Sequence, residues 1–157
     1  MTWTKPITIG ELPRQWIKEV PESAGVYRLL AQSKSSPIKR LAKSDRKKVL
    51  YIGKASKLRR RFRTLVKGLC QPANHLRGVP HPAANLYMAN HYRFRQLLPA
   101  EELRLTWILC SDPEIKEQKL IRAYFWEFGE TPLFNRAFRT HDKMGDLLCE
   151  PPPPLKA

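Results

Sequence analysis

The stretch VLYIGKASKLRRRF, residues 49–62, changes character halfway along its length. Val49, Leu50, Tyr51 and Ile52 are strand formers, and Gly53 follows them. From Ser56 the apolar period becomes helical. Leu58, Phe62, Leu65, Val66 and Leu69 share one face, with Ser56 placed to act as N-cap. That helix carries Arg59, Arg60, Arg61 and Arg63. A strand end and the next helix therefore bring tyrosine and arginine to one neighbourhood. The plain reading is a core tyrosine beside a solvated, charged helix face.

Upstream, GVYRLLAQ (25–32) is a second strand candidate, and the two strands predict a hairpin. Its connection, SKSSPIKRLAKSDRKK (33–48), is basic and punctuated by Ser and Pro, which predicts a long mobile insertion. Residues 8–19 predict a short leading helix, so 1–21 is read as an N-terminal helical extension. Downstream, 70–82 reads as a loop and 83–98 as an amphipathic helix. Residues 101–111 alternate Leu103, Leu105, Trp107 and Leu109 onto one strand face. Asp112 caps a final helix that has Pro113 at its first position and ends at Gly129. Residues 138–157, with four consecutive prolines, predict a disordered Pro-rich tail. The order predicts an α+β domain with a small three-stranded antiparallel or mixed sheet flanked by helices.

Charge narrows the class of partner. Lys and Arg number 29 against 14 acids in 157 residues, a net +15. Such a field favours polyanions, with nucleic acid ahead of an anionic membrane surface. The three cysteines, Cys70, Cys110 and Cys149, form no disulfide framework and suggest a reducing, cytoplasmic setting. No signal core or membrane span is evident, and P-loop, dinucleotide and zinc-ribbon patterns are absent.

One acid stands out. Glu117 falls within the helical stripe of Leu120, Ile121, Tyr124 and Phe128. A carboxylate there needs a partner, either an arginine or a metal ion. On the arginine helix, Arg60 and Arg63 point away from the apolar face, while Arg59 and Arg61 flank it on opposite sides. Spacing does not choose between those two.

Together, GVY at 25–27, YIG at 51–53, an arginine ten residues after Tyr51, EQKLI at 117–121 and PLFN at 132–135 resemble the GIY-YIG endonuclease superfamily. The resemblance covers about residues 22–137. It implies a nuclease-like domain over 22–137, with 33–48 as an insertion longer than the family's usual hairpin loop. It implies metal-dependent hydrolysis of DNA phosphodiester bonds, with Mg²⁺ or Mn²⁺ as cofactor. Tyr27 and Tyr51 match the motif tyrosines beside the scissile phosphate, one of them a general base or organiser of the attacking water. Gly53 matches the motif glycine, where a side chain would crowd the site, and Lys54 matches a lysine of the excision-repair members. Arg61 matches the phosphate-contacting arginine, Glu117 the metal-holding glutamate, and Asn135 a supporting asparagine.

Departures accompany the match. Leu65 stands where many members have tyrosine or histidine, and His75 and His81 are the candidates to replace that helper. A Cys70/His75/His81 zinc site fits no usual spacing. Arg59, Arg60, Arg63, Lys47, Lys48, Arg93 and Arg95 are candidate nucleic-acid contacts. Tyr87, Tyr92 and Phe94 are interleaved with two of these, and packing is their commoner role. No separate DNA-binding domain is visible, so targeting would fall to inserts, a homodimer or another protein. The alternative is a binding module on the same fold with weak or lost catalysis.

Overall fold

The computed structural model describes residues 2–10, 18–32, 34–70, 81–89 and 91–135. His75, Asn90 and the 138–157 tail lie outside the described residues. The elements in chain order are β1 (Ile7–Thr8), β2 (Gly25–Leu30), β3 (Val49–Ala55), α1 (Leu58–Leu69), α2 (Pro82–Ala89), α3 (His91–Leu97), β4 (Arg104–Leu109) and α4 (Pro113–Phe128). They form an α+β fold around an antiparallel sheet in the order β1-β4-β2-β3.

The sheet has four strands where the sequence predicts three. The extra one is β1, which pairs Ile7 with Leu105 and Thr8 with Arg104. Ile9 and Gly10 continue along the same edge, donating to Leu103 and Glu101 carbonyls. Residues 7–10 are therefore not the start of a helix, because the open edge of β4 offers their backbone a ladder. Residues 11–17 lie outside the described residues.

The hairpin forms as expected, with Tyr27 opposite Gly53 and Leu29 opposite Tyr51. One sheet face, with Tyr27, Leu29, Tyr51, Leu105 and Trp107, packs on Leu58, Phe62, Leu65 and Leu69 of α1 and on α2. The other, with Val26, Leu30, Ile52 and Ile108, packs on Leu120, Tyr124 and Phe128 of α4. Covered on both faces, β4 buries Thr106 and Ile108 as well as the alternating Leu105 and Trp107.

The insertion between β2 and β3 is tied down rather than free. Asp45 is fully buried, and its carboxylate accepts from the Lys47, Lys48 and Val49 amides at 2.7–2.9 Å. It also accepts from the Tyr124 hydroxyl at 2.9 Å, which pins the insertion to α4. An Ile38–Asp45 bridge and an Ala42 amide bonded to the Phe128 carbonyl complete the attachment. A buried carboxylate must be saturated with donors, and this turn supplies them.

One helix start differs from expectation. Lys57, not Ser56, is the N-cap of α1, and it makes no side-chain cap. The Ser23 and Pro21 carbonyls take the Leu58 and Arg59 amides at 3.1 and 3.2 Å. The predicted helix 83–98 is helical over Pro82–Ala89 and His91–Leu97, and Asn90 between them lies outside the described residues. The final helix matches closely: Asp112 accepts from the Ile115 amide, and Gly129 ends it in the left-handed region at φ 77°. After α4 the chain returns to β3, where the Phe134 amide donates to the Leu50 carbonyl at 2.8 Å. No helix among the described residues is long and apolar enough to cross a membrane.

Candidate active site

Gly53 lies beneath both motif tyrosines. A Cβ there would meet Tyr51 Cε1 at 2.4 Å and the Tyr27 hydroxyl at 2.8 Å, so any side chain displaces them. The register makes Tyr27 and Tyr51 diagonal neighbours on one face, with ring centroids 5.9 Å apart. Asn135 fixes the strand beside them. Its amide oxygen accepts from the Ile52 N–H at 2.9 Å, and its amide nitrogen donates to the Ile52 carbonyl at 2.8 Å. Asn135 thus positions Tyr51 and Gly53 through the backbone.

Arg61 and His81 converge on one atom. Arg61 Nε donates to the Tyr27 hydroxyl at 3.2 Å, and His81 Nε2 lies 2.6 Å from the same oxygen. His81 precedes Pro82 and caps α2, its Nδ1 accepting from the Ala84 amide at 3.5 Å. The neutral ring therefore carries its proton on Nε2 and donates it to Tyr27. Burial and the charge of Arg61 pull the His81 pKa down to about 3, so the ring is neutral at physiological pH. Leu65 is fully buried, and the Tyr27 hydroxyl is reached by His81 instead. The signal for it is local: a histidine immediately before the proline that opens a helix.

The two tyrosines are not equivalent. Tyr27 is fully buried, and burial pushes its phenol well above the usual range. Tyr51 keeps a 5% edge at the surface. Burial raises its phenol too, while Arg61 draws it back. Glu117 raises both phenols, which places its charge close to them.

The carboxylate side is built by α4 and the end of β3. Lys54 Nζ pairs with Glu114 and lies 3.7 Å from Glu117. The Glu117 side chain is only 16% exposed. Beside them lies a cleft of about 670 Å³ lined by Lys54, Lys57, Arg60, Arg61 and Glu114, with Ser56, Thr64 and Pro113 completing its walls. Lys54 and Arg61 thus face both the cleft and the buried groups. Among the described residues, no group of three or more His, Cys, Asp or Glu could enclose a metal ion. Glu117 with Glu114 does suit a hydrated Mg²⁺, a hard cation held by one or two carboxylates that keeps several waters and takes phosphate oxygens.

Other candidates separate by their partners. Arg59 holds the chain before β2: Nε donates to the Val20 carbonyl, and its terminal nitrogens reach the Lys18 carbonyl and Glu22. It ties the chain before β2 to α1. Lys48 is buried, with its ammonium 3.4 Å from the Gln32 carbonyl. Lys47 is exposed on the insertion, at the β2–β3 end away from the cleft. Arg63 is exposed on α1 but does not line the cleft. Arg93 and Arg95 lie on α3, and neither lines the cleft. Tyr87 and Phe94 stack on each other and meet Phe134 edge-on, so they pack rather than offer a base platform. No protein-family model, curated protein or solved structure matches the chain, so what it does must be argued from these residues.

Proposed function

We propose that this chain is a GIY-YIG-type endonuclease that hydrolyses DNA phosphodiester bonds with a divalent metal. The observation that carries the reading is convergence. Two tyrosines, an arginine and a nearly buried glutamate meet around a glycine that admits no side chain, beside a cleft rich in Lys and Arg.

The roles follow from the contacts. Arg61, held by Tyr27 and lining the cleft, would stabilise charge developing on a phosphate there. Tyr27 and His81 are positioning residues: Tyr27 is closed off from the cleft and acts by orienting Arg61. Tyr51, with its exposed edge, is the residue to orient the attacking water; its phenol, raised by burial, keeps its own proton, and the water's proton leaves to solvent. The water oxygen bonds to phosphorus, one P–O ester bond breaks, and the departing oxygen is protonated from solvent. Glu117, with Glu114, would hold the metal, which supplies Lewis-acid stabilisation and a more acidic water. Lys54, released from those carboxylates, would turn to the phosphate.

One observation favours a second reading, a binding module without cleavage. Lys54 already pairs with both acids that a metal would use. Supercoiled plasmid incubated with Mg²⁺, Mn²⁺ or EDTA, beside Glu117→Gln, separates the two. Metal-dependent nicking that Glu117→Gln lacks is the expected result. Salt-sensitive DNA binding without nicking in any metal would establish the binding module instead.

A further inference from the structure

The cations of the cleft fall into two sets. Arg61 and Lys54 are engaged inward, with Tyr27 and with Glu114 and Glu117. Lys57 and Arg60 also line the cleft and are exposed, and neither has an ion-pair partner among the described residues. Arg60 and Thr64 lie one turn apart on α1, and Lys57 is its N-cap, so the three form a ridge along one wall of the cleft. The Thr64 hydroxyl donates to the Arg60 carbonyl at 3.2 Å. Its proton is thereby used, and the guanidinium and ammonium remain as the ridge's donors.

The structure assigns to Lys57 and Arg60 a second phosphate subsite, outside the scissile position, that takes the neighbouring phosphate of the same strand. The assignment rests on reading the inner pair as the scissile-phosphate site, and it names the substrate class as a polymer rather than a mononucleotide. From Lys57 to Arg60 the chain advances about 4–5 Å. A duplex strand carries one phosphate per roughly 3.4 Å of axis, so the two cations match one step between neighbouring phosphates. Arg60 presents a planar fork suited to phosphate oxygens, and Lys57 adds a point charge.

The test is binding, measured in EDTA so that cleavage does not enter. Titrations of a fluorescent DNA duplex over a salt series are compared for the native protein, Arg60→Ala, Lys57→Ala and Lys5→Ala. Lys5 is exposed beside β1, at the sheet edge opposite β3. Arg60→Ala and Lys57→Ala should each reduce the slope of log K against log salt by about one, and Lys5→Ala should leave it unchanged. A short oligothymidylate should lose affinity with Arg60→Ala, while thymidine monophosphate should not. Equal losses for Lys5→Ala, an unchanged slope for the ridge variants, or an equal loss for the mononucleotide would each overturn the subsite. Absence of nicking by the native protein would overturn the nuclease reading alone. Circular dichroism of each variant establishes that the surface substitutions leave the fold intact.

Discussion

The sheet buries a polar cluster on each face, and the two differ in what remains available. On the α4 face, Asp45 accepts four hydrogen bonds, three from its own turn and one from Tyr124. Arg40 lies 5.7 Å above the Tyr124 ring and bonds the Val49 carbonyl, while Arg28 lies 3.9 Å over Trp3. Burial lowers the Arg28 pKa to about 10. None of these residues lines the cleft. On the α1 face, Tyr27 and His81 are buried as deeply as Asp45, yet their network ends in Arg61, which faces the cleft. Buried polarity therefore does not mark a site by itself. A buried network that terminates in a half-exposed cation does.

Substitutions that act on one cluster and spare the other sharpen this contrast. Asp45→Ala should have the largest effect, because it strands three amides, two of them buried, and a buried phenol. A loss of about 3–5 kcal/mol in urea unfolding is expected, with DNA affinity of the remaining folded protein unchanged. Arg61→Ala should do the reverse. Cleavage should fall about 10²- to 10³-fold, as for loss of one transition-state donor, with unfolding shifted far less than in Asp45→Ala. Gly53→Ala, which drives a methyl into both tyrosine rings, should cost about 1–3 kcal/mol by overpacking. It should also slow cleavage, and an unperturbed variant would contradict the close approach.

The smallest effect is the dependence on acid. His81 is held to about 3 in the fold, against 6.5 for an unperturbed histidine. A depressed pKa means the unfolded chain binds the proton first. Stability conferred by neutral His81 is therefore complete above the unfolded value and is lost as pH falls from there toward the folded one. The urea midpoint should drop between about pH 7 and pH 5, and His81→Gln should shrink that drop. A drop of equal size in the variant would place the titration elsewhere.

Much of the scaffold was legible because it is local. The strand formers of GVYRLLAQ, the period switch at Ser56 and the Asp112–Gly129 caps each follow from neighbours in sequence. The rest depended on partners far along the chain. Strand β1 has only two residues and shows no period, so nothing separates it from a coil until β4 is beside it. Asp45 sits in a basic run and looks solvated until Tyr124 arrives from 79 residues away. Helical spacing placed Arg59 and Arg61 symmetrically about the apolar face, and the structure divides them. Arg59 holds the Lys18 and Val20 carbonyls, and Arg61 holds Tyr27. His81 was named beside His75 for the helper role, and its contact with Tyr27 across 54 residues distinguishes it.

Asn135 has a consequence beyond holding Tyr51 in place. β3 is the outer strand of the sheet, and an outer strand that carries the candidate site exposes amides and carbonyls to any passing chain. By occupying both backbone groups of Ile52, with the Phe134 amide on Leu50, this short segment acts as a surrogate strand. It guards the edge against self-association. If the chain binds DNA as proposed, such a guard matters more, because crowding on a shared polyanion is the condition under which a bare edge would recruit its own copies.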